Sequence, residues 1–333
     1  MSTHAIPVIK INEVLVHPDA DALEIIIIND YQCIVRKGQF SIGSLAAYIE
    51  PDYLVPTSEP EFSFLIDKAK SDGYARISAI RLRHQRSYGL LISARPHWKE
   101  GDDVLEELKI KRYEPEMYEP GISFGYSHDA PAPPVVSVKY DMENYRKYNN
   151  VFQPGEIVEV SEKINGSNAR FIFNECLHVG SHTRWKKEHE SNVWWKAAYK
   201  YNLNEKLQKY PDHIFYGELY GVIGGYRYGL PADEVALAFF DIMYGAEWLD
   251  VERVNEILKD LELPKVPILH VGPWDPKLIE LADGPSTLPN TTHIREGVVI
   301  KPVINRRNYD VGRVILKVVS FDYLEGKKGK KGK

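Results

Sequence analysis

The sequence predicts an α+β protein in two parts, a small β-barrel or sandwich followed by a larger domain that mixes strands and helices. Three observations carry this reading. The first 112 residues hold short runs rich in Ile, Val and Leu, separated by Gly, Pro and Asp turns. Residues 113–138 are crowded with proline (Pro115, Pro120, Pro131, Pro133, Pro134) and have little periodicity, the composition of a linker. Beyond residue 139, strand-like runs alternate irregularly with two stretches of helical period, unlike the strict alternation of a doubly wound sheet. At 333 residues, 44% hydrophobic and 27% charged, the chain can build two cores and falls outside the disordered and collagen-like classes.

In chain order, strands are expected over residues 9–16, 23–28, 32–35, 45–49, 75–80 and 90–92. The turn-forming runs between them span 17–21 (HPDAD), 36–43 (RKGQFSIG) and 51–56 (PDYLVP). Tyr31, Phe40 and Tyr48, with Arg36 and Lys37, offer the aromatic and basic mix of single-strand binders. A purely structural barrel is the competing reading. In the second part, strands are expected over 156–160, 169–173, 214–220, 235–241, 297–301 and 314–319. A helix is expected over 191–209, with Trp194, Ala197, Ala198 and Tyr201 on one apolar face. A second is expected over 251–261, with Val254, Ile257, Leu258 and Leu261.

The exclusions are direct. The longest apolar runs are strand-sized, far below the roughly 20 residues of a membrane helix, and no basic-then-apolar leader begins the chain. Cys33 and Cys176 can build neither a disulfide framework nor a four-cysteine zinc site, so a reduced, cytoplasmic protein is expected. His178, His182 and His189 lack metal-ligand spacing and read as surface residues. The net charge is -5, yet the last eight residues, GKKGKKGK from Gly326, carry five lysines and no acid. That tail reads either as a flexible solvated terminus or as a loose hold on a polyanion.

The chemistry concentrates in EVSEKINGSNARF, residues 159–171, where a strand ends at Lys163 beside a turn containing Gly166. Five further runs follow in order: VGSHTR ending at Arg184, FYGELYG with Glu218, LAFFDIM with Phe240 and Asp241, REGVVIKP with Glu296 and Lys301, and GRVILKVVS with Lys317. Together these six runs resemble the motif series of the covalent nucleotidyltransferases, which include ATP- and NAD-dependent ligases and mRNA capping enzymes. EKINGSN, YGELYG, SFDYL and the upstream KYDMENYRKY (139–148) are most similar to ATP-dependent RNA ligases that seal a 3′-OH to a 5′-phosphate. HPDAD and the strand after it resemble the oligonucleotide-binding (OB) barrel of tRNA-binding modules. A barrel ahead of the catalytic domain resembles the RNA-ligase subgroup with an N-terminal OB domain.

The resemblance implies an OB-type β-barrel over 1–112, a linker over 113–138, a nucleotidyltransferase domain of antiparallel sheets and helices over 139–325, and a basic tail over 326–333. It also implies ATP, with Mg²⁺ or Mn²⁺, and RNA ends as partners; no membrane partner and a monomeric state are expected. Lys163 would attack the α-phosphorus, form lysyl-AMP and pass AMP to an RNA 5′-phosphate, which a 3′-OH then attacks. Lys317 and Glu296 would join Lys163 in catalysis. Glu162, Ile164, Asn165, Arg184, Glu218, Phe240, Lys301, Lys317 and Arg146 would surround the nucleotide, with Phe240 stacking on adenine while Phe239 enters the core. Glu296 and Glu218, and Asn165 through water, would hold metal.

Two departures stand out. Asn165 occupies a position where the family often has Asp. Lys317 lacks the second lysine of a Lys-x-Lys pair, so Arg313 or another cation would have to substitute. These departures keep a non-catalytic RNA-binding role open, while a DNA ligase or guanylyltransferase is the alternative among enzymes.

Overall fold

The computed structural model describes residues 5–113, 129–223 and 225–326. The remainder of the basic tail, Pro115, Pro120 and most of the expected linker lie outside the described residues. Two compact units separate: residues 5–113 with Leu324–Gly326, and residues 129–323.

The first unit is built of short antiparallel strands. Leu45–Ile49 pairs with Val8–Lys10 and Leu90–Ser93, and Leu23–Ile28 lies between Val14–Val16 and Tyr31–Arg36. Tyr53–Pro56 lies between Lys111–Arg112 and Tyr74–Arg76, and Ile80–Leu82 forms a hairpin with Gln85–Ser87. These ladders remain separate sheets instead of closing into one continuous barrel. Val8, Ala47, Ile49, Val55, Phe62, Ala75, Trp98 and Leu108 fill a common core.

The strand expected over 9–16 splits because Ile11 turns inward, where its backbone bonds Ser44 and Gly43. The strand expected over 75–80 likewise divides into Tyr74–Arg76 and Ile80–Leu82. The HPDAD turn is closed locally, with the Asp19 N–H donating to His17 Nδ1 at 3.1 Å. Tyr31, Phe40 and Tyr48 are all buried. Tyr31 stacks on Tyr88 at 3.8 Å, and the Tyr48 hydroxyl donates to the Tyr88 carbonyl. The rings expected to meet single strands are therefore core residues.

The second unit contains two larger sheets. The seven-stranded sheet runs Asp129–Ala130, Trp185–Lys186, Cys176–Ser181, Ser167–Asn174, His213–Gly221, Val235–Tyr244, Glu247–Trp248. Its first strand begins inside the stretch expected to be linker. The five-stranded sheet runs Glu143–Asn144, Leu316–Val319, Gly297–Pro302, Ile157–Lys163, Ile268–Pro273.

Alternation along the latter strands sorts their side chains. Val158, Val160, Val298, Ile300, Leu316 and Val318 enter one apolar core. Glu159, Ser161 and Lys163 occupy the opposite face, beside Lys301 and Val299 in register. In the seven-stranded sheet, Phe171, Phe215, Leu237 and Phe239 pack with helices Val193–Lys200 and Val251–Asp260.

Asn192 caps the first of these helices, its side chain accepting from the Trp194 N–H at 3.0 Å. The helix expected over 191–209 breaks at Asn202, which takes a left-handed φ of 52°; Leu203–Lys206 and the single turn Leu207–Lys209 follow. Trp194 and Trp195 are buried, as their spacing required.

Candidate active site

Lys163 ends its strand opposite Gly297, which brings Glu296 to the lysine. A Cβ at Gly297 would lie 2.1 Å from the Val318 carbonyl oxygen, so this close strand packing requires glycine. Lys163 Nζ donates to Glu296 Oε1 at 2.5 Å, with both side chains partly accessible. The turn after the lysine is pinned from several sides. Asn165 Nδ2 donates to Glu296 Oε2 at 3.3 Å and to the Tyr323 hydroxyl at 2.8 Å. The Asn165 N–H donates to the Tyr228 hydroxyl at 2.7 Å, and Asn165 Oδ1 accepts from the Gly225 N–H at 2.8 Å. A Cβ at Gly166 would sit 2.3 Å from the Leu219 carbonyl oxygen, so the turn packs directly onto the strand bearing Glu218.

A cavity of about 150 Å³ lies between the two sheets, bordered by Lys163, Ile164, Glu218, Phe240 and Lys301 among others. Burial pushes the Glu218 carboxyl up to about 8; Lys163 pulls the value down and Glu296 raises it. Phe240 is the extra residue of a β-bulge: Tyr216 pairs with Asp241 and Gly217 with Phe239. The bulge turns Phe240 toward the cavity while Phe239 remains in the opposite core. The Phe240 ring lies 4.6 Å from that of Tyr140.

Behind the cavity is a buried charge cluster. Lys301 Nζ donates to the Phe240 carbonyl at 2.9 Å and lies 3.4 Å from Asp241 and 3.8 Å from Glu159. Asp241 also meets Arg313 at 2.7 Å and accepts from the Tyr140 hydroxyl at 2.6 Å. Lys265 bonds Glu159. Burial lowers the Lys301 pKa against the opposing pull of Asp241 and Glu159. Burial would raise Asp241, but the charges of Arg313 and Lys301 outweigh it and hold the carboxyl below its ordinary value.

The remaining sequence-selected residues divide. Glu162 and Ile164 border the cavity, but both are committed to the framework. The Glu162 carboxylate accepts from the Ser286 hydroxyl at 2.5 Å and from the Thr287 N–H at 2.7 Å and hydroxyl at 2.6 Å, while Ile164 packs with Tyr226 and Tyr228. Arg184, Arg146 and Lys317 do not line the cavity. Arg184 is largely exposed and pairs with Asp129 at 2.8 Å; the Arg146 guanidinium lies 4.7 Å from the Phe321 ring. Lys317 stands opposite Val299, one strand removed from Lys163.

Arg313, the substitute that the sequence offered for the missing lysine, is paired with Asp241 at 2.7 Å. Ile315 borders the cavity instead. Among the described residues, no group of three or more His, Cys, Asp or Glu side chains could hold a metal. Sequence reasoning missed the framework roles of Glu159, Tyr140, Tyr228 and Tyr323. Glu159 carried a signal in its two-residue alternation with Ser161 and Lys163, and Tyr140 and Tyr323 lay in the runs KYDMENYRKY and SFDYL.

Comparison with known proteins agrees with this geometry. Residues 156–319 match the RNA ligase family model, and residues 5–94 match an OB-fold domain model. The fold is similar to that of Naegleria gruberi RNA ligase, seen as a variant with ATP and Mn at 25% identity and TM-score 0.81, covering 97% of this chain and 98% of that one. The same ligase with PPi gives 26% identity, TM-score 0.81 and the same coverage, 97% and 98%. A variant with AMP and Mn gives 25%, 0.81 and again 97% and 98%. No curated protein sequence matches the chain.

The ligase-type sheet pair and its lysine-bearing cleft place the chain among the ligases, and it is an enzyme. Residues 156–319 form a domain matching the RNA ligase family, with an OB-fold domain, residues 5–94, ahead of it. No described helix is long and apolar enough to cross a membrane.

Proposed function

We propose that the protein is an ATP-dependent ligase that joins RNA 3′-OH and 5′-phosphate ends through lysyl-AMP on Lys163. The observation that carries this reading is the 2.5 Å contact between Lys163 Nζ and Glu296 Oε1 at a cavity that Phe240 and Glu218 also border. A lysine amine is a nucleophile only without its extra proton, and Glu296 stands where that proton would go. The amine then attacks the α-phosphorus, a new P–N bond forms, and the bond to pyrophosphate breaks. AMP passes from the lysine to an RNA 5′-phosphate, and the 3′-OH displaces it to form the phosphodiester.

Phe240 offers a ring to adenine, and Lys301 fixes the carbonyl of that residue from behind. Glu296 and Glu218 suit Mg²⁺ or Mn²⁺, which commonly take one or two carboxylates and complete their shell with water and phosphate oxygens. Burial chiefly, and Glu296 to a lesser degree, raise the Glu218 carboxyl, and a cation beside it would favour its charged form. A bound divalent ion would add positive charge near the phosphates. The Asn165 carboxamide already serves Glu296, Tyr323 and Gly225, so its role in this reading is to orient Glu296.

Incubation with ATP labelled at the α-phosphate, Mn²⁺ and RNA ends, followed by denaturing electrophoresis, tests the reading. Wild type should retain label covalently and transfer it to RNA, whereas Lys163→Ala should retain none. A folded wild-type protein that takes no label with either Mg²⁺ or Mn²⁺ would overturn it.

A further inference from the structure

In the first unit, Arg95 and Lys109 are answered by acids. Arg95 meets Glu61 and Glu107 at 2.7 Å each, and Lys109 meets Glu59 at 2.7 Å. The outer face of the sheet formed by Lys111–Arg112, Tyr53–Pro56 and Tyr74–Arg76 is different. Register places Lys111, Leu54 and Arg76 in one row across it. Lys111 Nζ lies over the Tyr74 ring at 4.1 Å, the Arg76 guanidinium over the Tyr113 ring at 3.9 Å, and Lys70 Nζ over that same ring at 5.6 Å.

Lys70, Arg76 and Lys111 are exposed, and the two tyrosines are half-exposed. Arg76 shares Asp52, but Lys70 and Lys111 have no carboxylate partner among the described residues. A ring beneath an ammonium orients it without cancelling its charge, so the heads stay available to a solvated anion. The arrangement combines separated cations with aromatic edges in an otherwise acidic chain.

We propose that this face, centred on Lys70, Tyr74, Arg76, Lys111 and Tyr113, is a contact surface for the RNA phosphate backbone. The inference rests on the RNA-ligase reading for its choice of polyanion. It assigns the contact to a surface that does not include the buried Tyr31, Tyr48 and Phe40, and it uses rings that the sequence had not singled out.

The test is a titration of fluorescently labelled, 5′-phosphorylated single-stranded RNA against the full chain over a range of salt concentrations. The proteins compared are wild type, the double variant Lys70→Glu/Lys111→Glu and the conservative Lys70→Arg/Lys111→Arg, each checked for folding by its thermal midpoint. Charge reversal should weaken binding about tenfold or more at ~0.1 M salt. It should also flatten the plot of log affinity against log salt by about 1.4, the value for two lost single-strand phosphate contacts. The arginine variant should bind as wild type does.

A folded charge-reversed protein with wild-type affinity and slope would overturn the proposal, as would wild type that does not bind this RNA. Covalent labelling of wild type with ATP is scored separately. Failure there sinks the adenylylation reading, while the RNA titration still decides the surface.

Discussion

Two clusters of charge stand within the second unit, and they are built from the same residue types for opposite ends. In one, Lys163 and Glu296 touch at the cavity with their side chains about a fifth and an eighth exposed. In the other, Asp241 is fully buried among Arg313, Lys301 and Tyr140, and its charge is answered from several directions. A contact that solvent and ligand can reach lets a lysine exchange its partner. Enclosure on all sides makes an acid part of the scaffold. The difference lies in access, and residue identity alone does not reveal it.

The largest expected effect comes from breaking the enclosed cluster. Asp241→Asn leaves Arg313 and Lys301 without their shared counter-charge and should cost about 3–5 kcal/mol of stability in urea unfolding. Glu296→Gln should do the reverse. The amide preserves much of the contact with Lys163 and Asn165 but cannot take the proton, so labelled-ATP capture should slow by about 100-fold or more, with stability changed by less than ~1 kcal/mol. Phe240 touches both clusters, its ring facing the cavity and its carbonyl held by Lys301. Phe240→Ala should weaken ATP binding by roughly 1–3 kcal/mol, the usual range for a lost base–aromatic stack, as measured by calorimetry.

A further effect is a pH slope. The folded pKa of Glu218 is raised to about 8, above its unfolded value, so the folded state holds an extra proton between about 4.5 and 8. Stability of the metal-free protein should therefore fall as pH rises across that window. Urea midpoints measured at several pH values should lose that part of the slope in Glu218→Gln.

The accessible cluster was largely legible in the sequence, and the enclosed one was not. Lys163, Glu218, Phe240 and Glu296 lie in short runs whose order could be read, and strand alternation correctly sent Phe239 and Phe240 to opposite sides. Asp241 and Arg313 were visible as residues, but their pairing depends on a register between distant strands that local pattern cannot supply. Arg313 was accordingly available on paper as a substitute cation and is committed in the fold. The same limit explains the first unit. Tyr31, Phe40 and Tyr48 stand beside basic residues in sequence, yet alternation and a neighbouring strand bury them. Helix 191–209 ran too far because the apolar period continues past Asn202, where the backbone alone marks the break.

The contact between Lys163 and Glu296 joins residues 133 positions apart in the chain. The strand that carries the lysine is made about halfway through synthesis, and its partner arrives only when nearly all of the polypeptide has been made. A nascent chain therefore cannot assemble this pair until its last long strands have docked. Fragments released between residues 163 and 296 would carry Lys163 without this partner.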